Sequence, residues 1–128
     1  LFAGKGDQVR GIIDEVGSEY LKANTDLGNF LLVNDDPLNA VKALNKRVGF
    51  VHFKDFKSVS NDQPGYDGMD GKRYQGTVLG EGQVPMKEIV EYLSGIGYDG
   101  FLSIEFEGTG DPVTGTVKSI EYAKSIMG

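Results

Sequence analysis

The 128-residue sequence predicts an α/β fold on a parallel sheet, with the sheet being part of a larger one. Three observations lead there. Segments with apolar residues at helical spacing alternate with short segments of strand parity, the pattern of βα units. The order is helix, strand, helix, strand, long loop, helix, strand, helix, so three strands serve four helices. A three-stranded parallel sheet leaves two open edges, so the pattern suits a slice of a larger α/β sheet or barrel.

The elements follow in order. Val9, Ile12, Ile13 and Val16 predict a helix over 7–16, with Asp7 as N-cap and Gly17 as stop. Residues 20–26 read as a strand with Leu21, Ala23 and Thr25 on one face and Lys22, Asn24 and Asp26 on the other. Asp36 caps a second helix, Pro37 takes its first position, and Leu38, Val41, Ala43 and Leu44 form its stripe. A second strand covers 48–54. Residues 57–78 read as a long polar loop rich in Gly, Asp and Ser, a length that points to a lid or binding loop. A third helix covers 85–93 or slightly beyond, with Met86, Ile89, Val90 and Leu93 apolar. A third strand covers 101–106. The last helix covers 114–126, with Val117, Ile120, Tyr122, Ala123 and Ile126 apolar.

Composition narrows the function classes. There are 13 basic and 19 acidic side chains, net charge -6, so the basic footprint of a nucleic-acid binder is missing. No apolar run is long enough to span a bilayer, and no signal peptide is visible, so a membrane partner is not expected. Cysteine is absent, which excludes disulfides and thiolate metal sites and is compatible with the expected cytoplasmic location. Residue 1 is leucine and "LFAGKG" reads like the tail of a loop, so the chain is expected to be part of something longer.

Each strand ends in a side chain able to bind a metal: Asp26, His52 and Glu105. Parity places Asp26 with Asn24, His52 with Phe50 and Lys54, and Glu105 with Ser103, each opposite the more aliphatic face. If the aliphatic faces pack on helices, the three converge at the strand C-termini, where parallel α/β folds bind ligands. One imidazole with two carboxylates suits Mn2+, Mg2+, Co2+ or Zn2+. Plainer readings stand beside this. His52 can be a hydrogen-bonded structural residue, Asp26 can start the turn "DLGN", and Glu105 can be a solvated strand-end charge. "LGEGQVP", with glycines around Glu81, can present backbone N–H groups to an anion or simply turn.

The segments "NTDLGNF", "NDDPLNAVKAL", "RVGFVHFKDF" and "LGEGQVPMKEIVEYLSGIGYDGFLSIEFEG" resemble the C-terminal part of the xylose isomerase-like TIM barrels, from about residue 20 to the end. The resemblance implies the C-terminal portion of a (β/α)8 barrel, about three βα units plus a preceding helix. It also implies one divalent metal held from the ends of strands five to eight. Asp26, His52 and Glu105 match the last three of those ligands; the strand-five glutamate has no counterpart and is expected before Leu1.

By the same resemblance, Glu105 is one of two carboxylates that pass a substrate proton through an enediolate. Asn29, Lys54, Asp55, Lys57 and Glu81 are candidate substrate contacts. The implied activity is a sugar or polyol isomerase or epimerase. A dehydratase or lyase of the inosose dehydratase kind, or a non-catalytic sugar-binding barrel, is compatible. Asn29 stands where epimerases often carry histidine, and Lys54, Lys57 and Ser58 stand where they often carry arginine. The apurinic endonuclease branch uses many more histidines than this chain's one. Expected partners are a small-molecule sugar or polyol and the N-terminal part of the barrel, and a homo-oligomer is compatible. Half a barrel alone is expected to be inactive and unstable.

Overall fold

The computed structural model describes residues 4–128. The chain runs α1 (Gly6–Val16), β1 (Ala23–Asp26), α2 (Asn29–Leu32), α3 (Pro37–Leu44), β2 (Val48–Phe53), β3 (Asp55–Val59), β4 (Tyr66–Asp67), β5 (Arg73–Thr77), α4 (Met86–Gly95), β6 (Leu102–Ile104) and α5 (Pro112–Met127). A single 3-10 turn at Asn45–Arg47 leads into β2.

β1, β2 and β6 form a parallel sheet in the order β1-β2-β6, so β2 is central and the other two are edges. The expected alternation is present. Ala23, Thr25, Val51 and Phe53 are buried, whereas Asp26, Phe50 and His52 keep partial exposure. The buried face packs with Ala40, Val41 and Leu44 of α3 and Met86, Ile89 and Leu93 of α4 in one core cluster. Burying each large aliphatic or aromatic side chain there contributes about 1.5–3 kcal/mol. The core therefore lies on the helix side, and the opposite face is left for polar groups. No helix among the described residues is long and apolar enough to cross a membrane.

Several boundaries differ from the sequence reading. α1 begins at Gly6, with Lys5 and not Asp7 at the N-cap, because the Gln8 side chain accepts the Lys5 N–H at 3.1 Å. β1 begins at Ala23; Tyr20 is 90% exposed. α3 starts as expected, with the Asp36 carboxylate accepting the Asn39 N–H at 2.8 Å, and Ala40 rather than Ala43 is its fully buried alanine. α4 ends at Gly95, as expected slightly beyond Leu93, and has Pro85 at the N-cap rather than in the helix. β6 is shorter than expected, since its ladder to β2 ends at Ile104. α5 starts earlier because Asp111 caps it, accepting the Thr114 N–H at 2.8 Å and the Thr114 hydroxyl at 2.7 Å. Its buried residues are Gly115, Ser119 and Ala123, spaced four apart, while Val117 and Ile120 are exposed.

The largest correction concerns residues 57–78. They do not form an irregular loop. β3, β5 and β4 build a second, antiparallel sheet in the order β3-β5-β4. Phe56 and Tyr74 are buried, and the Phe56 and Tyr66 rings lie 5.7 Å apart. One residue, Lys54, separates β2 of the first sheet from β3 of the second.

Candidate metal centre

Parallel pairing levels the strand ends. Asp26 lies opposite His52, and His52 lies opposite Ser103. The Glu105 N–H donates to the Phe53 carbonyl at 2.9 Å, carrying the chain one step past β6. Glu105 thus leaves the sheet beside the histidine. His52 Nδ1 is 3.0 Å from Glu105 Oε2 and 3.7 Å from Asp26 Oδ2. One donor atom from each of the three lies within 4.8 Å of the others. The Phe50 ring meets the imidazole edge-on at 5.3 Å, which limits its rotation.

Lys54 closes the cluster. Its side chain is 6% exposed, and its Nζ lies 3.1 Å from Asp26 Oδ2, 3.0 Å from Glu105 Oε2 and 3.2 Å from Glu107 Oε1. Gly28 makes room for it. A Cβ there would stand 2.9 Å from Lys54 Cγ and 3.1 Å from the Lys54 carbonyl oxygen. Asp26, Glu105 and Lys54 are shifted by their surroundings. Burial pushes the Asp26 carboxyl above its ordinary value, and the Lys54 ammonium offsets this only in part. Burial acts the same way on Glu105, but there Lys54 and His52 outweigh it and hold the carboxyl below the usual range. Burial alone would lower Lys54; Glu105, Asp26 and Glu107 reverse that and hold it above the ordinary lysine value.

The donor set fits a divalent ion. Glu105 Oε2 is buried and lacks a hydrogen bond of good geometry, although Lys54 Nζ and His52 Nδ1 each lie 3.0 Å from it. A buried carboxylate oxygen without an aligned donor is costly, and here the Lys54 ammonium is the cation that offsets the cost. One imidazole nitrogen and two carboxylate oxygens suit Mn2+, Mg2+, Co2+ or Zn2+ and leave positions for further ligands.

The remaining candidates go to different places. Asn29 joins the cluster indirectly: its Nδ2 donates to Asp26 Oδ2 at 2.8 Å. Asp26 therefore both starts its turn and faces the centre. Asp55 does not join. It is 1% exposed, and its carboxylate accepts the N–H groups of Gly80, Gly82 and Val84, each at 3.0 Å. The substrate contact expected of Asp55 is replaced by a structural one, because both oxygens are engaged inside the protein. The anion cradled by the "GEG" turn is the chain's own. Gly82 must be glycine for this approach, since a Cβ would fall 2.2 Å from Asp55 Oδ1.

Lys57 and Glu81 line a separate cleft of about 250 Å3, shared with Phe106, Asp111 and Lys118. Glu107 was not among the candidates from the sequence. Its signal was available, since it continues the alternation of Ser103 and Glu105.

A family model described as "Xylose isomerase-like TIM barrel" matches residues 2–126. An inosose dehydratase of Lacticaseibacillus casei is 28% identical over 109 residues, covering 80% of this chain and 37% of that protein. A xylose isomerase domain protein of Planctomyces limnophilus superposes with a TM-score of 0.77 at 27% identity, covering 95% of this chain and 43% of that one. A xylose isomerase-like TIM barrel protein of Mycobacterium smegmatis, solved in complex with magnesium, gives a TM-score of 0.78 at 19% identity. That match covers 98% of this chain and 40% of that one. The chain thus spans less than half the length of these relatives.

Proposed function

This chain belongs to the xylose isomerase-like TIM barrels, and from that premise we propose that the protein carrying it is a divalent-metal-dependent sugar or polyol isomerase or epimerase. Relatives of this fold are sugar isomerases, epimerases and dehydratases. The observation that supports the reading best is the convergence of Asp26, His52 and Glu105 at the ends of three parallel strands. A neighbouring fold binds magnesium, which is consistent with a hard divalent ion here.

In this reading Asp26, His52 and Glu105 hold the ion. When bound, the ion supplies Lewis-acid polarisation of a substrate carbonyl and acidifies the adjacent C–H. Glu105 moves the proton at its carboxylate, on one face of an enediolate-like transition state. Asn29 fixes the Asp26 carboxylate through its amide, and Lys54 balances the charge of the Asp26 and Glu105 carboxylates while no ion is bound. Lys57 and Glu81 line the separate cleft, and in this reading they contact the part of the substrate farthest from the ion. The remaining barrel strands, and a fourth carboxylate, come from protein outside this chain. We place the enzyme in the cytoplasm, consistent with its cysteine-free composition.

Metal analysis of the complete protein, with Asp26→Ala, His52→Ala and Glu105→Ala beside it, tests the centre. Each variant is expected to lose stoichiometric metal, and retention in all three would reject the assignment. The inosose dehydratase similarity favours a second reading, in which the same proton removal is followed by expulsion of a β-hydroxyl. Incubation of ketoses and inososes in D2O separates the two. An isomerase or epimerase returns a deuterated sugar, and a dehydratase releases an unsaturated product.

A further inference from the structure

Resting on the metal-centre reading above, we propose that Lys54 and Glu107 form a positioning pair that sets the affinity of the centre. In it, the Lys54 ammonium is a resident cation exchanged for the incoming metal. Lys54 Nζ contacts Asp26 Oδ2 and Glu105 Oε2, the same two oxygens that lie nearest His52 Nδ1. A divalent ion on those oxygens would stand a few ångströms from the ammonium, and like charges that close in a half-buried site repel strongly. The ammonium must therefore withdraw when the metal enters.

The structure supplies a destination. Glu107 Oε1, 3.2 Å from Lys54 Nζ, belongs to the one contacting carboxylate outside the donor set. Its side chain is 32% exposed, so it can follow the ammonium outward. The base of Lys54 cannot follow. Its Cγ and carbonyl are packed against Gly28, and it sits between β2 and β3. Only the end of the side chain is free to swing, at 6.0 Å from the Phe56 ring centre. Glu107 thus acts on the metal through Lys54, by offering it an alternative partner.

The test is Mn2+ titration of the metal-free complete protein, followed by calorimetry, for the wild type, Lys54→Met, Glu107→Gln and the double variant. Lys54→Met is expected to bind Mn2+ about ten-fold tighter or more, because the competing charge is gone. Glu107→Gln is expected to bind several-fold more weakly than wild type, and that loss should vanish in the Lys54→Met background. Equal affinity in wild type and Lys54→Met would overturn the proposal. So would a Glu107→Gln loss of the same size with and without Lys54, because Glu107 would then act only as a nearby charge.

Wild-type binding that His52→Ala abolishes but Lys54→Met leaves unchanged would reject the exchange and keep the metal centre. No Mn2+ binding by any variant would reject both. If Lys54→Met does not fold in metal-free buffer, recovery of its folding by Mn2+ supports the exchange of one cation for another, and failure to recover overturns it.

Discussion

Asp55 shows how a single side chain can be misassigned from its neighbours. It follows Lys54 directly, yet its carboxylate points into the protein and accepts three backbone N–H groups from 80–84. Leaving one buried N–H without an acceptor costs about 1–3 kcal/mol. Asp55→Ala should therefore lower the stability of the complete protein by about 3 kcal/mol or more, read as a shift of its urea midpoint. Asp55→Asn should recover little, because its amide turns a donor toward donors. A midpoint unchanged in both variants would show that water replaces the carboxylate. Nothing local in "HFKDF" indicated this role, since the partners lie 25–29 residues further along the chain. His52 was more legible, because strand parity is a local property and placed it with Asp26 and Glu105. The contacts of Lys54 with three carboxylates were not legible, because they depend on how three strand ends meet.

Among the elements, the parallel strands and four longer helices could be read from periodicity and caps, and the antiparallel sheet could not. Its pairs include Lys57 with Gln75 and Ser58 with Tyr74, and of its apolar side chains only Phe56 and Tyr74 are buried. Helix ends depended on capping chemistry. Asp111 shows this best, and hydrogen bonds from Thr114 hold its carboxyl below the ordinary value. A carboxylate with a depressed folded-state value contributes stability above its unfolded value, and that contribution is lost as pH falls through the folded value. The start of α5 should therefore stay capped at neutral pH and fray only in acid below the ordinary aspartate range. Amide exchange at 112–115 across that range is the measurement, and Asp111→Ala should show the acid-like exchange at every pH. Pro112 has no amide proton, so the readout rests on Val113 to Gly115.

At the scale of the molecule, two open edges dominate. β1 and β6 each have one unpaired side among the described residues. Near β6, Phe101 is 77% exposed, and Val117 and Met127 on α5 are each 48% exposed. Unpaired edges flanked by apolar surface promote association. The 128-residue chain alone should therefore self-associate in sedimentation velocity as its concentration rises, and co-expression with the rest of a barrel should suppress this. A monomer with a sharp, concentration-independent thermal transition would contradict the expectation. The junction at Lys54 has a consequence of another kind. The strand bearing His52 passes into β3 through Lys54 alone, while the far end of the antiparallel sheet, between Val59 and Arg73, is held by its own hairpin contacts and by the Met69 N–H donating to the Leu32 carbonyl of α2 at 2.8 Å. Descent with modification can rewrite that far tip, by substitution or insertion, while inheriting the strand ends unchanged. The antiparallel sheet is then the part of the chain that can diverge while the strand ends stay fixed.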